Sequence, residues 1–274
     1  MSFGHALPVD VCRLEGLEFD IAASAGWYSA VAGLLAGFAF VAVLLPLDHD
    51  SSEEDDAQTG HAVVAFVGAF FSLLTLSVAY AVLSGRSGTG PVAAVAAHEQ
   101  MLTGAAFGLS TLLLLLGLRG VLRSYGANRR VFASGQGVIV AVTAVLGPLV
   151  VVGLQFSNAM DLERYRLLSG AGDKGCGPSG FPTGVWLNLG IVGLAATAIL
   201  VLLAAREHIS RREAEVDRLA WLCLIFTVLV VLWSAVLLPL LPIAAVASPV
   251  LEHVILAMTS VLAVVFAAGS WSSR

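Results

Sequence analysis

Two adjacent pairs of ionisable residues, His98-Glu99 and Glu252-His253, stand in sequence that is otherwise almost wholly apolar. Each pair opens a long hydrophobic run. A histidine beside a glutamate can pass a proton, bind a cation or ligate a metal. Gln100 and Thr103 follow the first pair by a turn or less and can complete such a site. If the two runs enter a membrane from the same side, four protonatable groups reach a similar depth between two helices. Ionisable groups at such depth are costly to keep and often functional. Neighbouring residues on a helix point roughly 100° apart, so at most one of each pair faces a given partner cleanly. That weakens a four-ligand metal site. If a metal binds at all, His98, Glu99, Glu252 and His253 are the expected ligands. Haem between two helices would use a facing pair such as His98 and His253. The plainer alternative is that both pairs sit at headgroup level and face water.

The elements that carry these residues follow from composition. Of 274 residues, 58% are hydrophobic and 12% charged, with mean hydropathy +0.91. A soluble domain carries roughly a quarter charged residues, so water is not the solvent for most of this chain. Seven apolar stretches, at about 26–46, 62–84, 100–121, 136–156, 184–204, 219–241 and 250–270, are each long enough to cross a bilayer. Backbone groups cannot stay unpaired in lipid, and the runs are continuous rather than alternating. Each is therefore expected to be an α-helix and not a barrel strand. The fold class is an all-α integral membrane protein, a bundle of seven transmembrane helices forming one domain over 1–274. No polar segment between the runs is large enough to bury a core of its own.

Orientation follows from Lys and Arg. The joints after the first, third and fifth runs, with the C-terminal end, hold Arg119, Arg123, Arg129, Arg130, Arg206, Arg211, Arg212, Arg218 and Arg274. The opposite set holds only Arg13, Arg86, Arg164, Arg166 and Lys174. The asymmetry predicts the N-terminus outside and the C-terminus cytoplasmic, in a cell membrane. The first 25 residues carry Asp10, Glu15, Glu18 and Asp20 against Arg13 alone, which is not the pattern of a cleavable signal. The first helix is expected to be retained, with Val11 to Ala23 as plain flanking chain.

Other features read more simply. The acidic run from Asp48 to Asp56 lacks the spacing and turn glycine of a calcium loop and is expected to be solvated. Asp161, Glu163, Arg164 and Arg166 open a long outer joint, where 161–168 can form a short helix before a Gly- and Pro-rich stretch. The inner joint from Arg206 to Arg218 reads as projecting helix, with Glu207 and Arg211 one turn apart. Cys12 and Cys176 both fall outside in this topology, so a disulfide between them is a candidate, while Cys223 lies within the sixth helix. Gly33 with Gly37, and Gly104 with Gly108, have the spacing of close helix contacts. Pro148 and Pro239 should kink the fourth and sixth helices, and such kinks often border cavities.

Several functions are disfavoured. The only lysine, Lys174, lies in a joint, so retinal has no mid-helix lysine for a Schiff base. There is no phosphate-binding Walker loop, no zincin helix and no nucleophile elbow. No basic patch suggests nucleic acid. No cofactor is strongly implied. The expected function is that of a transporter- or channel-like protein, handling a proton, cation or small solute between helices three and seven. The alternatives are a membrane-embedded metal or haem enzyme and a non-catalytic subunit. The partners expected are the lipid bilayer and either a second copy or another membrane subunit.

Overall fold

Lipid leaves this composition one way to pair its backbone, and the chain takes it throughout. The computed structural model describes residues 20–44, 53–86, 91–126, 130–169, 181–208, 215–246 and 248–272. Among them there is helix and turn but no strand. The helices are α1 (Ile21–Leu44), α2 (Glu53–Ser84), α3 (Pro91–Gly126), α4 (Arg130–Ala141), α5 (Gly147–Ser169), α6 (Thr183–Ala204), α7 (Glu215–Leu232), α8 (Ile243–Val246) and α9 (Pro249–Ser272). A π-helical turn, Val142–Leu146, joins α4 to α5 into one span. A second, Trp233–Leu237, extends α7 and passes into the 3₁₀ turn Leu238–Leu240. Seven of these helical stretches are long and apolar enough to cross a membrane. The chain is a multi-pass, all-α membrane protein.

Helix ends follow local chemistry. Asp20 caps α1, its Oδ1 accepting from the Ala23 amide at 3.0 Å. Proline occupies the first position of α3 and of α9, where a missing N–H costs nothing. Ser248 caps α9 by accepting from the Val250 amide at 3.3 Å. The helices begin and end beyond the apolar runs. α3 starts at Pro91, so His98 and Glu99 lie about two turns inside it rather than at its opening. α5 continues to Ser169, so Asp161, Glu163, Arg164 and Arg166 belong to the fourth span and not to a separate short helix. In both places the extra residues are good helix formers, and a polar residue does not end a helix whose hydrogen bonds can continue.

One residue separates each π turn from a proline that follows it. Pro148 and Pro239 cannot donate, and their rings press on the preceding turn. A wider turn relieves this: the Gly147 amide reaches the Val142 carbonyl, and the Leu238 amide reaches that of Trp233.

α3 is the axial helix. It packs against α1, α2, α5, α7 and α9, while α1 rests mainly on α2, and α6 on α9 and α5. Tyr80, Phe66, Phe266, Met101 and Leu113 are fully buried between the helices. The outside is the reverse of a soluble protein: Trp27, Phe38, Phe71, Leu194 and Trp221 are exposed, because lipid rather than water covers them. Small residues set the helix separations. Ser29 and Ser77 exchange hydroxyl-to-carbonyl hydrogen bonds, each 2.9 Å, across α1 and α2. Gly33 lies against Ser77, and Gly108 against Val151 of α5, whereas Gly37 faces open space.

Successive spans alternate in direction, so one end of the bundle gathers the starts of α1, α3, α6 and α9 with the ends of α2, α5 and α7. The opposite end is closed by His61 with Asp217 at 2.8 Å and by Arg119 donating to the Ser270 carbonyl at 3.0 Å. Cys12, Cys176 and Lys174, residues 48–52 of the acidic run and residues 209–214 of the inner joint lie outside the described residues. Cys223 is a buried free thiol, 3.3 Å from the Ser110 hydroxyl.

The α3–α5 contact depends on the missing side chain at Gly108. Gly108→Ile should push the helices apart and cost about 1–3 kcal/mol of stability. The loss of monodisperse protein after heating in detergent, followed by size-exclusion chromatography, should shift to lower temperature. An equal change at Gly37, which meets nothing within 4 Å, should be nearly silent.

Candidate functional site

Glu252 lies in the first turn of α9 with none of its surface exposed. A carboxylate there must find partners inside the protein. It finds two, on two other helices. The Arg166 guanidinium, near the end of α5, makes an ion pair with it. Asn188, two turns or less into α6, donates from Nδ2 to Oε1 of Glu252 at 2.5 Å. The Asn188 carbonyl oxygen lies 2.7 Å from Nδ1 of His253. With the amide so oriented, Nδ1 of His253 is the donor and its Nε2 is left as an acceptor. One asparagine thus holds both members of the α9 pair.

Arg166 does more than pair with Glu252. Its Nη1 lies 2.9 Å from Glu163, one turn back on α5, and its Nη2 donates to the Ser248 carbonyl at 3.3 Å, at the cap of α9. Glu163 and Arg166 are themselves buried. The start of α6 passes so close that a Cβ on Gly184 would collide with the Glu163 carboxylate, which accounts for glycine at that position. Two carboxylates therefore share contact with one guanidinium, and the three side chains tie α5 to α9 and, through Asn188, to α6.

A second ion pair lies beside α3. Arg86, in the turn that ends α2, places Nη1 2.6 Å from Glu99. Thr103 sits one turn further along α3 and donates to the Glu99 carbonyl at 2.6 Å. Beneath this pair a cavity of about 430 Å³ runs between α2, α3 and α7. Arg86, Glu99, Thr103, Thr75 and Ser234 are its polar lining, and Leu74, Val78, Val82 and Val231 are among the apolar residues that make its walls. The second π turn contributes Ser234 and Ala235 to it.

Three consecutive residues of α3 consequently face three neighbours. His98 is buried, its Nδ1 3.2 Å from the Ala94 carbonyl, within electrostatic reach of Arg166; its Nε2 has no hydrogen-bond partner. Glu99 faces Arg86 of the α2 turn. Gln100 faces α1, accepting from the Ser24 hydroxyl at 3.3 Å. This is the rotation of about 100° per residue acting on a packed helix. All six residues singled out from the sequence lie at one end of the bundle. Four of them form two nodes, one on α5, α6 and α9 holding Glu252 and His253 and one on α2 and α3 holding Glu99 and Thr103, while His98 and Gln100 stand apart from both. No hydrogen bond or ion pair between described residues joins His98 or Glu99 directly to Glu252 or His253. Among the described residues no group of three or more His, Cys, Asp or Glu is gathered closely enough to hold a metal ion.

The contributors that sequence reading passed over are Arg86, Arg166, Glu163 and Asn188. Arg86 counted there only as topological charge, and Arg166 and Glu163 as part of an outer joint. Asn188 stood alone in an apolar run, and that isolation was the available signal.

Neither a protein-family model, nor a curated protein, nor a solved structure matches this chain.

Removing one partner of a buried ion pair strands the other. Arg166→Met leaves both Glu163 and Glu252 uncompensated and should cost about 3–5 kcal/mol. Adding Glu163→Gln and Glu252→Gln to Arg166→Met should restore most of that loss, because no unpaired charge then remains. Thermal unfolding of the single and triple variants checks the coupling; a triple variant no more stable than the single would show that Arg166 acts through packing alone.

Proposed function

We propose that this protein is a transporter of the cell membrane that moves a proton or a small cation, with Glu252 as the central binding group. The excess of positive residues at the opposite end of the bundle supports placing this end outside and the C-terminus in the cytoplasm. The observation that carries the reading is the charge of the buried trio. Glu163, Arg166 and Glu252 bring two carboxylates to one guanidinium, away from water. A staple between helices needs one pair. With all three ionised, the trio keeps one surplus negative charge, and a bound proton or cation neutralises it.

The roles follow from the contacts. Glu252 receives the cargo, and Asn188 and His253 complete its polar surroundings. Arg166 holds the empty site together by bridging both carboxylates. When cargo neutralises Glu252, that bridge weakens, and α9 is freed to shift against α5. Movement needs an element with two arrangements, and the π turns in the fourth and sixth spans supply places where the helices yield. Glu99 and Arg86, two turns deep at the same end, form the next polar station, with His98 buried beside them.

Reconstituted liposomes test this directly. Under a potassium-valinomycin diffusion potential, wild-type protein should acidify or alkalise the lumen, read with trapped pyranine, or move sodium or potassium read with selective dyes. Glu252→Gln should slow that flux about tenfold, the effect of ~1.4 kcal/mol on a rate. Glu99→Gln should slow it as well. No flux of protons, sodium or potassium by wild type removes the proposal, and so does flux unchanged in both variants.

A further inference from the structure

On the other side of α3 lies a second cavity, of about 400 Å³, walled by α1, α2, α3 and the fourth span. It differs from the first in kind. Arg86 and Glu99 stand at the polar end of one; no charged residue lines the other. Its polar groups are neutral: the Tyr80 hydroxyl and the side-chain amides of Gln100 and Asn158 gather at one end, while Thr111, further along, donates to the Phe107 carbonyl of its own helix. Gly104 makes room among them. A Cβ there would lie 3.1 Å from Asn158 Nδ2 and 3.7 Å from the Tyr80 hydroxyl. Further along α3 the lining turns apolar, with Leu112, Leu115, Leu146 and Val150.

Three features mark this as more than a gap for acyl chains. The Tyr80 hydroxyl is fully buried and makes no hydrogen bond at bonding distance, although the Thr103 side chain lies beside it. A buried hydroxyl left in that state is expensive unless something else accepts from it. Gln100 accepts from Ser24 through its oxygen, which leaves its amide hydrogens as donors. The wall beside these donors is aromatic: Tyr28 stacks on Tyr80 at 5.3 Å between ring centroids, and Phe107 meets Tyr28 edge-on at 5.7 Å. Finally, the π turn of the fourth span borders the cavity through Val142, Leu146 and Gly147. Such turns are frequent at functional sites.

We propose that this cavity binds a neutral, membrane-soluble amphiphile with a flat, carbonyl-bearing ring, of the quinone class. Neutral donors select a neutral ligand, because a charged head would be desolvated without a counter-ion. Several donors at one end suit a head with more than one acceptor. The aromatic wall stacks against a planar ring, and the apolar remainder takes an alkyl or isoprenoid tail toward the bilayer centre. The site is separate from the carboxylate network, and either can fail without the other.

Equilibrium dialysis of the purified full chain in detergent against decylubiquinone tests this, with decylbenzene as a ring and tail lacking carbonyls. Wild type should bind decylubiquinone saturably and decylbenzene at least about tenfold more weakly. Tyr80→Phe keeps the ring and removes the hydroxyl; it should weaken decylubiquinone about five- to tenfold. Leu146→Trp, on the lipid-facing rim, should block the cavity and abolish binding while leaving heat resistance near wild type. Asn158→Ala replaces Tyr80→Phe as the polar variant should the latter not fold. Absence of saturable decylubiquinone binding by wild type overturns the proposal. Equal affinity for decylbenzene overturns it as well, as does a polar variant that binds like wild type.

Discussion

The bilayer interior offers no water to a charge, and that constraint organises the polar end of this bundle. Glu252 has no exposed surface, so its position is set by what can reach it: Arg166 from α5 and Asn188 from α6. Those two contacts fix the ends of three helices relative to one another more sharply than apolar packing does, since leucine against leucine has many nearly equal arrangements whereas an unpaired carboxylate has none that is cheap. Arg166 also reaches the Ser248 carbonyl, so the same side chain steadies the cap that starts α9. Charge, cap and helix end thus form one unit, and glycine at Gly184 is the steric condition for bringing α6 against it.

α3 distributes polarity rather than concentrating it. Its position among α1, α2, α5, α7 and α9 means that any run of consecutive side chains must meet different neighbours. His98, Glu99 and Gln100 do so, and the consequence is two chemically distinct cavities on opposite sides of one helix. One ends in an ion pair and the other in neutral donors. The glycines at Gly104 and Gly108 belong to the second side, where they admit Asn158 and Val151 close to the backbone. Small residues here shape a space as well as a contact.

Much of the architecture was legible before the structure because lipid imposes a strong rule on sequence. Seven long apolar runs can only be helices, and seven helical stretches of membrane-crossing length are present among the described residues. The pairs His98-Glu99 and Glu252-His253 stood out for the same reason, as ionisable residues in apolar surroundings. Their depth was less legible. Apolar runs understate helix length where polar residues are buried, so Pro91 to Glu99 fell before the third run and 161–168 read as a short helix of the outer joint, although both belong to the spans themselves. Partners were less legible still. Arg86 and Arg166 are ordinary charges in a linear reading, and only the rotation of each helix about its axis turns them inward. That phase depends on packing of the whole bundle, and a single sequence does not contain it in any local window.

The two π turns connect these threads. Each arises from a proline that sequence alone marks, Pro148 or Pro239, and each borders one cavity. A proline inside a span removes a donor and crowds the carbonyl one turn before it. The chain answers with a wider turn, and the wider turn displaces side chains from regular register, which opens space beside α3. A helix with a complete ladder of α-type hydrogen bonds resists bending; one interrupted by a π turn already carries the local rearrangement that bending needs. The fourth span therefore has its fixed point at the Arg166 end and its yielding point at Val142–Leu146. Any change in the charge held by Glu252 acts on the fixed point of the same helical span whose yielding point lines the neutral cavity. The ion pair that holds Glu252 and the lining of the neutral cavity thus share one helical span.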